Sequence, residues 1–182
     1  LAAFAYGIAK GRYNFRVEKE VIEFDNLPNE FDGFTIAQIS DIHIGSFFNN
    51  KENVQKGVDL VNELNADAIF FTGDLVNNYA WELDGMSDKL AQLNAPMGVY
   101  SILGNHDYGD YVKWESEDAK KQNLDTLKET QKNMGFNLLI NETVKLKKGN
   151  ASIDLIGIEN WGKGGFAKYG DLIYAAANDQ IL

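Results

Sequence analysis

Three short apolar runs, each of strand length, end in clusters of polar side chains. Residues 34–40 lead into Asp41-Ile42-His43, residues 66–72 into Gly73-Asp74, and residues 98–103 into Gly104-Asn105-His106-Asp107. The interval from Asp41 to Asp74 is 33 residues, and from Asp74 to His106 it is 32. Each interval has room for one crossover. The first carries Val54, Val58, Val61 and Leu64 at helical spacing within residues 51–65. The second carries Leu83, Met86, Leu90 and Leu93, with Pro96 as a stop. Strand, helix, strand, helix, strand is the pattern of a parallel sheet with helical crossovers. In such a sheet all three clusters fall beyond the carboxyl ends of the strands, where ligands bind.

The flanking sequence extends this α/β reading. Val17, Val21, Ile22 and Phe24 predict a first strand, closed by the turn-rich residues 25–33 around Pro28. A third helix is predicted over residues 119–134 with Leu124 and Leu127 facing inward. Short strands follow at 138–140 and 143–147. Lys148-Gly149-Asn150 reads as a hairpin turn into residues 152–159. A glycine-rich loop at 161–170 and a short helix near 171–177 complete the chain.

Composition narrows the chemistry. Hydrophobic residues make up 45% and charged residues 24%, ordinary for a globular domain. The formal net charge of -10 is the wrong sign for gripping nucleic acid through its phosphates. An acidic protein can still hold a phosphate if metal cations supply positive charge. There is no cysteine, so a metal must be held by oxygen and imidazole nitrogen. The chain has 2 histidines, and both lie in the clusters.

The clusters differ in specificity. Asp41-x-His43 alone is weak, because aspartate often caps a turn after a strand, and Gly73-Asp74 is common turn chemistry. Gly104-Asn105-His106-Asp107 is far more specific. Together, in this order and spacing, the three outweigh a purely structural reading.

These blocks resemble the calcineurin-like metallophosphoesterase family, whose motifs are D-x-H, G-D-x-x and G-N-H-D/E. The stretches FTIAQISDIHIGS, FFTGDLV and ILGNHDYG are similar to a membrane-associated bacterial branch, and the likeness spans roughly residues 17–182. Some members of that branch cleave a UDP-linked diacylglucosamine pyrophosphate. The resemblance implies a βαβαβ-type sandwich of central sheets flanked by helices. It also implies hydrolysis of phosphoric esters with two divalent ions, manganese, iron or zinc. Asp41 and His43 would bind the first ion, Asp74 would bridge both, and Asn105 would bind the second. His106 would face the substrate, with Asp107 holding its imidazole. The substrate would be a phosphorylated small molecule or a lipid-linked one.

One departure accompanies the likeness. The family pattern calls for further histidines after the third block, and none follows His106 in this sequence. The metal sites are therefore expected to be incomplete and residues 1–182 alone to be inactive. At the other end, the apolar residues 1–9 precede Lys10, Arg12 and Arg16. This is read as the tail of a membrane-spanning segment with its basic flank, which favours a cytoplasmic face, or else as an apolar terminus. Nine residues fall short of the ~20 needed to cross a bilayer. Residues 1–16 are thus expected to lie near a membrane, with residues 17–182 forming the catalytic domain.

Rival motifs remain. Gly157 to Gly164 nearly matches a phosphate-binding loop, but Gly164 stands where a hydroxyl is required. Trp161, Lys163 and Lys168 are alternatively substrate contacts on a loop over the site, or plain surface. Tyr108, Tyr111 and Trp114 could wall a leaving group or pack beneath the next helix. Asn141 and Asn150 open glycosylation patterns, with no sign of a secretory route. A catalytically silent scaffold of the same fold is the other alternative.

Overall fold

In the computed structural model, the described residues are Gly7 and residues 10–48, 50–163, 165 and 167–177. Apart from Gly7, the apolar residues 1–9 lie outside them. Four strands form one parallel sheet: β1 (Ile36–Ile39), β2 (Ala68–Phe71), β3 (Val99–Ser101) and β4 (Phe136–Leu138), in spatial order β1-β2-β3-β4. The first crossover is helix α1 (Lys51–Glu63), the second includes the single turn α2 (Ser87–Leu90), and the third is α3 (Glu117–Asn133). An antiparallel hairpin of β5 (Glu142–Lys148) and β6 (Ala151–Gly157) forms a second sheet, followed by α4 (Leu172–Ala177).

Sheet register follows the apolar pattern. Ala37, Ile69, Val99 and Phe136 lie side by side across the four strands, and all four are buried. The connecting elements pack against the sheet through a shared core. Val54 and Val58 of α1, Leu90 of α2, and Leu127 and Met134 close to or within α3 belong to the same core. Side-chain caps begin the two longer helices. Asn50 accepts from the Asn53 amide at 3.1 Å, and Ser116 from the Ala119 amide at 3.1 Å.

Two expectations change. No strand forms at residues 17–24, where Val21, Ile22 and Phe24 are 89%, 71% and 61% exposed. A strand needs a partner for its backbone groups, and among the described residues β1 pairs only with β2. The second crossover is not one helix either. Leu83, Met86, Leu90 and Leu93 are all buried as expected, but they sit on a 3₁₀ turn (Ala80–Leu83), on α2 and in the flanking bends. Gly85, at φ 68°, breaks the run between the two pieces. Elsewhere the differences are of boundary. α3 begins at Glu117 because Ser116 caps it, and β4 lies two residues earlier than expected.

Leu127 is fully buried between α3 and the sheet core. Leu127→Ala is expected to cost about 2–5 kcal/mol of unfolding free energy, measured as a lower urea midpoint with unchanged slope.

Candidate metal centre

The ends of β1, β2 and β3 are in register, with Ile39 beside Phe71 and Phe71 beside Ser101. The three following loops therefore leave the sheet together. They are stitched by backbone hydrogen bonds. The Asp41 amide donates to the Gly73 carbonyl at 3.0 Å, His43 to Asp74 at 3.0 Å, and Ile44 to Leu75 at 2.9 Å. Asp41, His43 and Asp74 all adopt positive φ, at 54°, 46° and 58°. That left-handed backbone costs of order 1 kcal/mol or more per residue outside glycine and persists only where the surroundings enforce it. Gly73 (φ 99°) packs so tightly on the Gly104 backbone that no side chain fits between the second and third loops.

This backbone brings His43, Asp74 and His106 together, each offering one ligand atom within 4.8 Å of the others. Asp41 stands at the open side, its Oδ1 3.9 Å from His43 Nε2, while Asp74 Oδ2 lies 3.8 Å from the same nitrogen. The two imidazoles meet edge to face, with centroids 4.7 Å apart. Donor atoms on one ion with bonds of ~2.1 Å sit up to ~4 Å apart. Imidazole and carboxylate together suit manganese, iron or zinc. The spacings of Asp41 and Asp74 from His43 thus fit a shared divalent cation.

Asn105 lies at the margin. Its Nδ2 donates to the Tyr111 hydroxyl at 2.6 Å, and its Oδ1 makes no hydrogen bond among the described residues. Tyr111 also lies over the His106 ring, with centroids 4.5 Å apart. Of the aromatics after the third block, Tyr111 borders the site, Tyr108 is buried, and Trp114 packs on Tyr79. Tyr108 and Trp114 thus serve packing. Trp161 and Lys168 engage each other, the ammonium 3.8 Å from the ring centroid. Among the described residues, no contact ties them to the metal cluster. A phosphate-binding loop would need a helix opening directly after Lys163, whereas α4 begins at Leu172.

Asp107 is placed differently from the expectation that it holds the His106 imidazole. It is fully buried and accepts four backbone amides. Its Oδ2 takes Asp74 and Gly104, each at 2.9 Å, and its Oδ1 takes Leu75 at 2.8 Å and Val76 at 3.2 Å. The His106 ring is held instead through Nδ1, 2.8 Å from the Asn77 carbonyl. The reason is reach: a carboxylate saturated by amides from beneath the loops is not available to a ring above them. Burial pushes the Asp107 carboxyl up to about 7, and the Asp74 charge adds to the rise while the amides oppose it.

Glu82 and Asn77 were not singled out from sequence. Glu82 is buried and accepts from the amides of Asn77, Asn78 and Tyr79 at 2.7, 3.0 and 2.9 Å. The available signal was a glutamate at the third position of a helical turn, able to reach back to amides before it.

Asp107→Asn would replace one acceptor oxygen by a donor and leave two amides unpaired. The expected loss is about 2–6 kcal/mol of stability, read from urea denaturation. A loss below 1 kcal/mol would show that the loops do not depend on that carboxylate.

Comparisons with known proteins place the chain among phosphoesterases. The profile of the family described as Calcineurin-like phosphoesterase matches residues 34–179. An uncharacterized metallophosphoesterase of Bacillus subtilis, YkuE, is 36% identical over 115 residues, covering 60% of this chain and 40% of that protein. An uncharacterized metallophosphoesterase of Aquifex aeolicus is 33% identical over 134 residues, covering 74% and 46%. The UDP-2,3-diacylglucosamine pyrophosphatase LpxG of Chlamydia trachomatis is 36% identical over 91 residues, covering 48% and 27%. Among solved structures, the phosphopantetheinyl hydrolase PptH of Mycobacterium tuberculosis aligns at 18% identity and TM-score 0.46, over 68% of this chain and 42% of that one. The chain spans less than half the length of these relatives. With the family profile covering most of its length and its three motif blocks meeting at one sheet edge, the chain belongs to the calcineurin-like phosphoesterase family.

Proposed function

We propose that this protein hydrolyses phosphoric esters with the help of two divalent cations held at the carboxyl edge of the β1–β3 sheet. The observation that carries the reading is the convergence of His43, Asp74 and His106 within 4.8 Å, beside Asp41. Asp41, His43 and Asp74 would hold one ion, with Asp74 shared and Asn105 offering its Oδ1 to the second. Bound there, the cations supply Lewis acidity toward phosphoryl oxygens and lower the pKa of water.

The chain's own groups do the rest. The Asn77 carbonyl can only accept a hydrogen bond, so His106 Nδ1 carries a proton and donates it there. Nε2 is the nitrogen turned away from that anchor. A proton on Nε2 passes to the leaving oxygen as a water oxygen bonds to phosphorus and the P–O bond to the leaving group breaks, so that the group departs protonated. Tyr111, packed on His106, stands where a leaving group would rest. Asp107 has no contact with the reacting atoms in this scheme; it supports the loops.

The likeness to LpxG, a UDP-2,3-diacylglucosamine pyrophosphatase by name, supports a lipid-linked pyrophosphate as one candidate substrate, beside simpler phosphomonoesters and diesters. A zebrafish relative is named as a transmembrane protein with a metallophosphoesterase domain, and this supports membrane association. No helix among the described residues is long and apolar enough to cross a membrane.

The test is metal-dependent hydrolysis of an alkyl phosphate by the intact protein. His106→Ala is expected to lower kcat by about 10²–10⁴-fold. Asp74→Ala should reduce bound manganese more than Asn105→Ala, because a bridging carboxylate serves both ions. Full manganese occupancy with no turnover on any phosphoester would favour the silent scaffold.

A further inference from the structure

Six consecutive amides, from Asp74 to Tyr79, end on buried carboxylates. Asp107 takes the first three, and Glu82 takes the last three. One peptide group in this loop faces two ways. The unit joining Asn77 to Asn78 donates its N–H to Glu82 Oε1 at 3.0 Å and offers its C=O to His106 Nδ1 at 2.8 Å.

We infer that Glu82 is the positioning residue for His106, acting through that single peptide as the remote carboxylate of a carboxylate–peptide–histidine relay. The inference rests on the reading of His106 as proton donor to the leaving group. A carboxylate on the N–H of an amide polarises the group and strengthens its carbonyl as an acceptor. The carbonyl in turn fixes the ring orientation and keeps the proton on Nδ1. The relay supplies what direct contact with Asp107 was expected to supply.

The surroundings of Glu82 fit a held group rather than an incidental one. Among the described residues it makes no ion pair, so its three backbone amides are its partners. The turn that carries it is pinned by α3: Asn123 accepts from the Ala80 amide at 2.8 Å and donates to the Asn78 carbonyl at 3.0 Å. From the other side, the first motif loop presses on the same point. A Cβ at Gly45 would overlap Glu82 Oε2 and come within 2.7 Å of Asn77 Nδ2. Glycine there gives the carboxylate its space. The relay thus joins the loop after His43, the loop after Asp74 and the His106 ring.

The experiment compares Glu82→Gln, Gly45→Ala and His106→Ala in the intact protein. Ring ¹⁵N NMR reads the His106 tautomer, and kcat and KM are measured on a nitrophenyl phosphate and on an alkyl phosphate. A nitrophenolate departs without a proton, whereas an alkoxide needs one. Glu82→Gln is expected to lose the pure Nδ1–H signature. It should lower kcat on the alkyl ester about 10- to 100-fold, with KM within about twofold and little change on the nitrophenyl ester. Gly45→Ala, which crowds the same carboxylate without removing it, should move both readouts the same way and stands in if Glu82→Gln does not fold. An unchanged tautomer and equal losses on both esters would overturn the relay. If His106→Ala itself shows no preference between the esters, the proton-donor reading falls first, and the tautomer data still decide whether Glu82 positions the ring.

Discussion

The structure depends on one buried carboxylate. Asp107 lies beneath the loops that follow β2 and β3 and takes amides from both, at Asp74, Leu75, Val76 and Gly104. A carboxylate in this position is costly to bury unless its oxygens are saturated with donors, and here both are. The return is geometric. Once Asp74 and Gly104 are tied to the same side chain, the second and third motif loops cannot move independently. The unfavourable left-handed backbone at Asp74 (φ 58°) is then enforced by its neighbours. The placement of Asp74 beside His106 follows from that tie.

The sequence made the parallel sheet and the location of the site legible for the same reason. Apolar runs of strand length, separated by one crossover each, leave little choice of topology, and in-register strand ends bring Asp41, Asp74 and His106 to one edge. Two things escaped. Buried positions were found at Leu83, Met86, Leu90 and Leu93, yet their element was misread, because hydrophobic spacing reports burial and not continuity of hydrogen bonding across Gly85. The role of Asp107 was also misread. The family resemblance implied that Asp107 holds the His106 imidazole, but the 3₁₀ turn at His106–Tyr108 sends the ring and the carboxylate in different directions. The partner that reaches the ring belongs to a backbone carbonyl, which no side-chain motif can advertise. Residues 17–24 are a third kind of miss: a strand pattern is a statement about a partner, and none is present among the described residues.

The division of labour among the acidic residues also clarifies how a chain with net charge -10 leaves carboxylates free for cations at this edge. Asp41 is turned outward beside His43, where a cation can use it, and Asp74 stands between a backbone amide and the imidazole. Asp107 and Glu82 are turned inward onto amides. The same residue type therefore does two jobs, set by whether peptide dipoles or open space face the carboxylate.

Saturation of the loop has a consequence for how an anion is recognised. Many phosphate sites are concave nests of unpaired backbone N–H groups that grasp the anion without help. Here the amides of residues 74–79 all point into protein carboxylates, and the amides of Gly104 and His106 are likewise taken, by Asp107 and Asp74. The backbone at this edge is a closed electrostatic surface, with its positive ends already covered from within. On the proposed function, attraction for a phosphate would then come from the bound cations. Substrate affinity would be borrowed from the metal pool around the protein and would rise and fall with that pool.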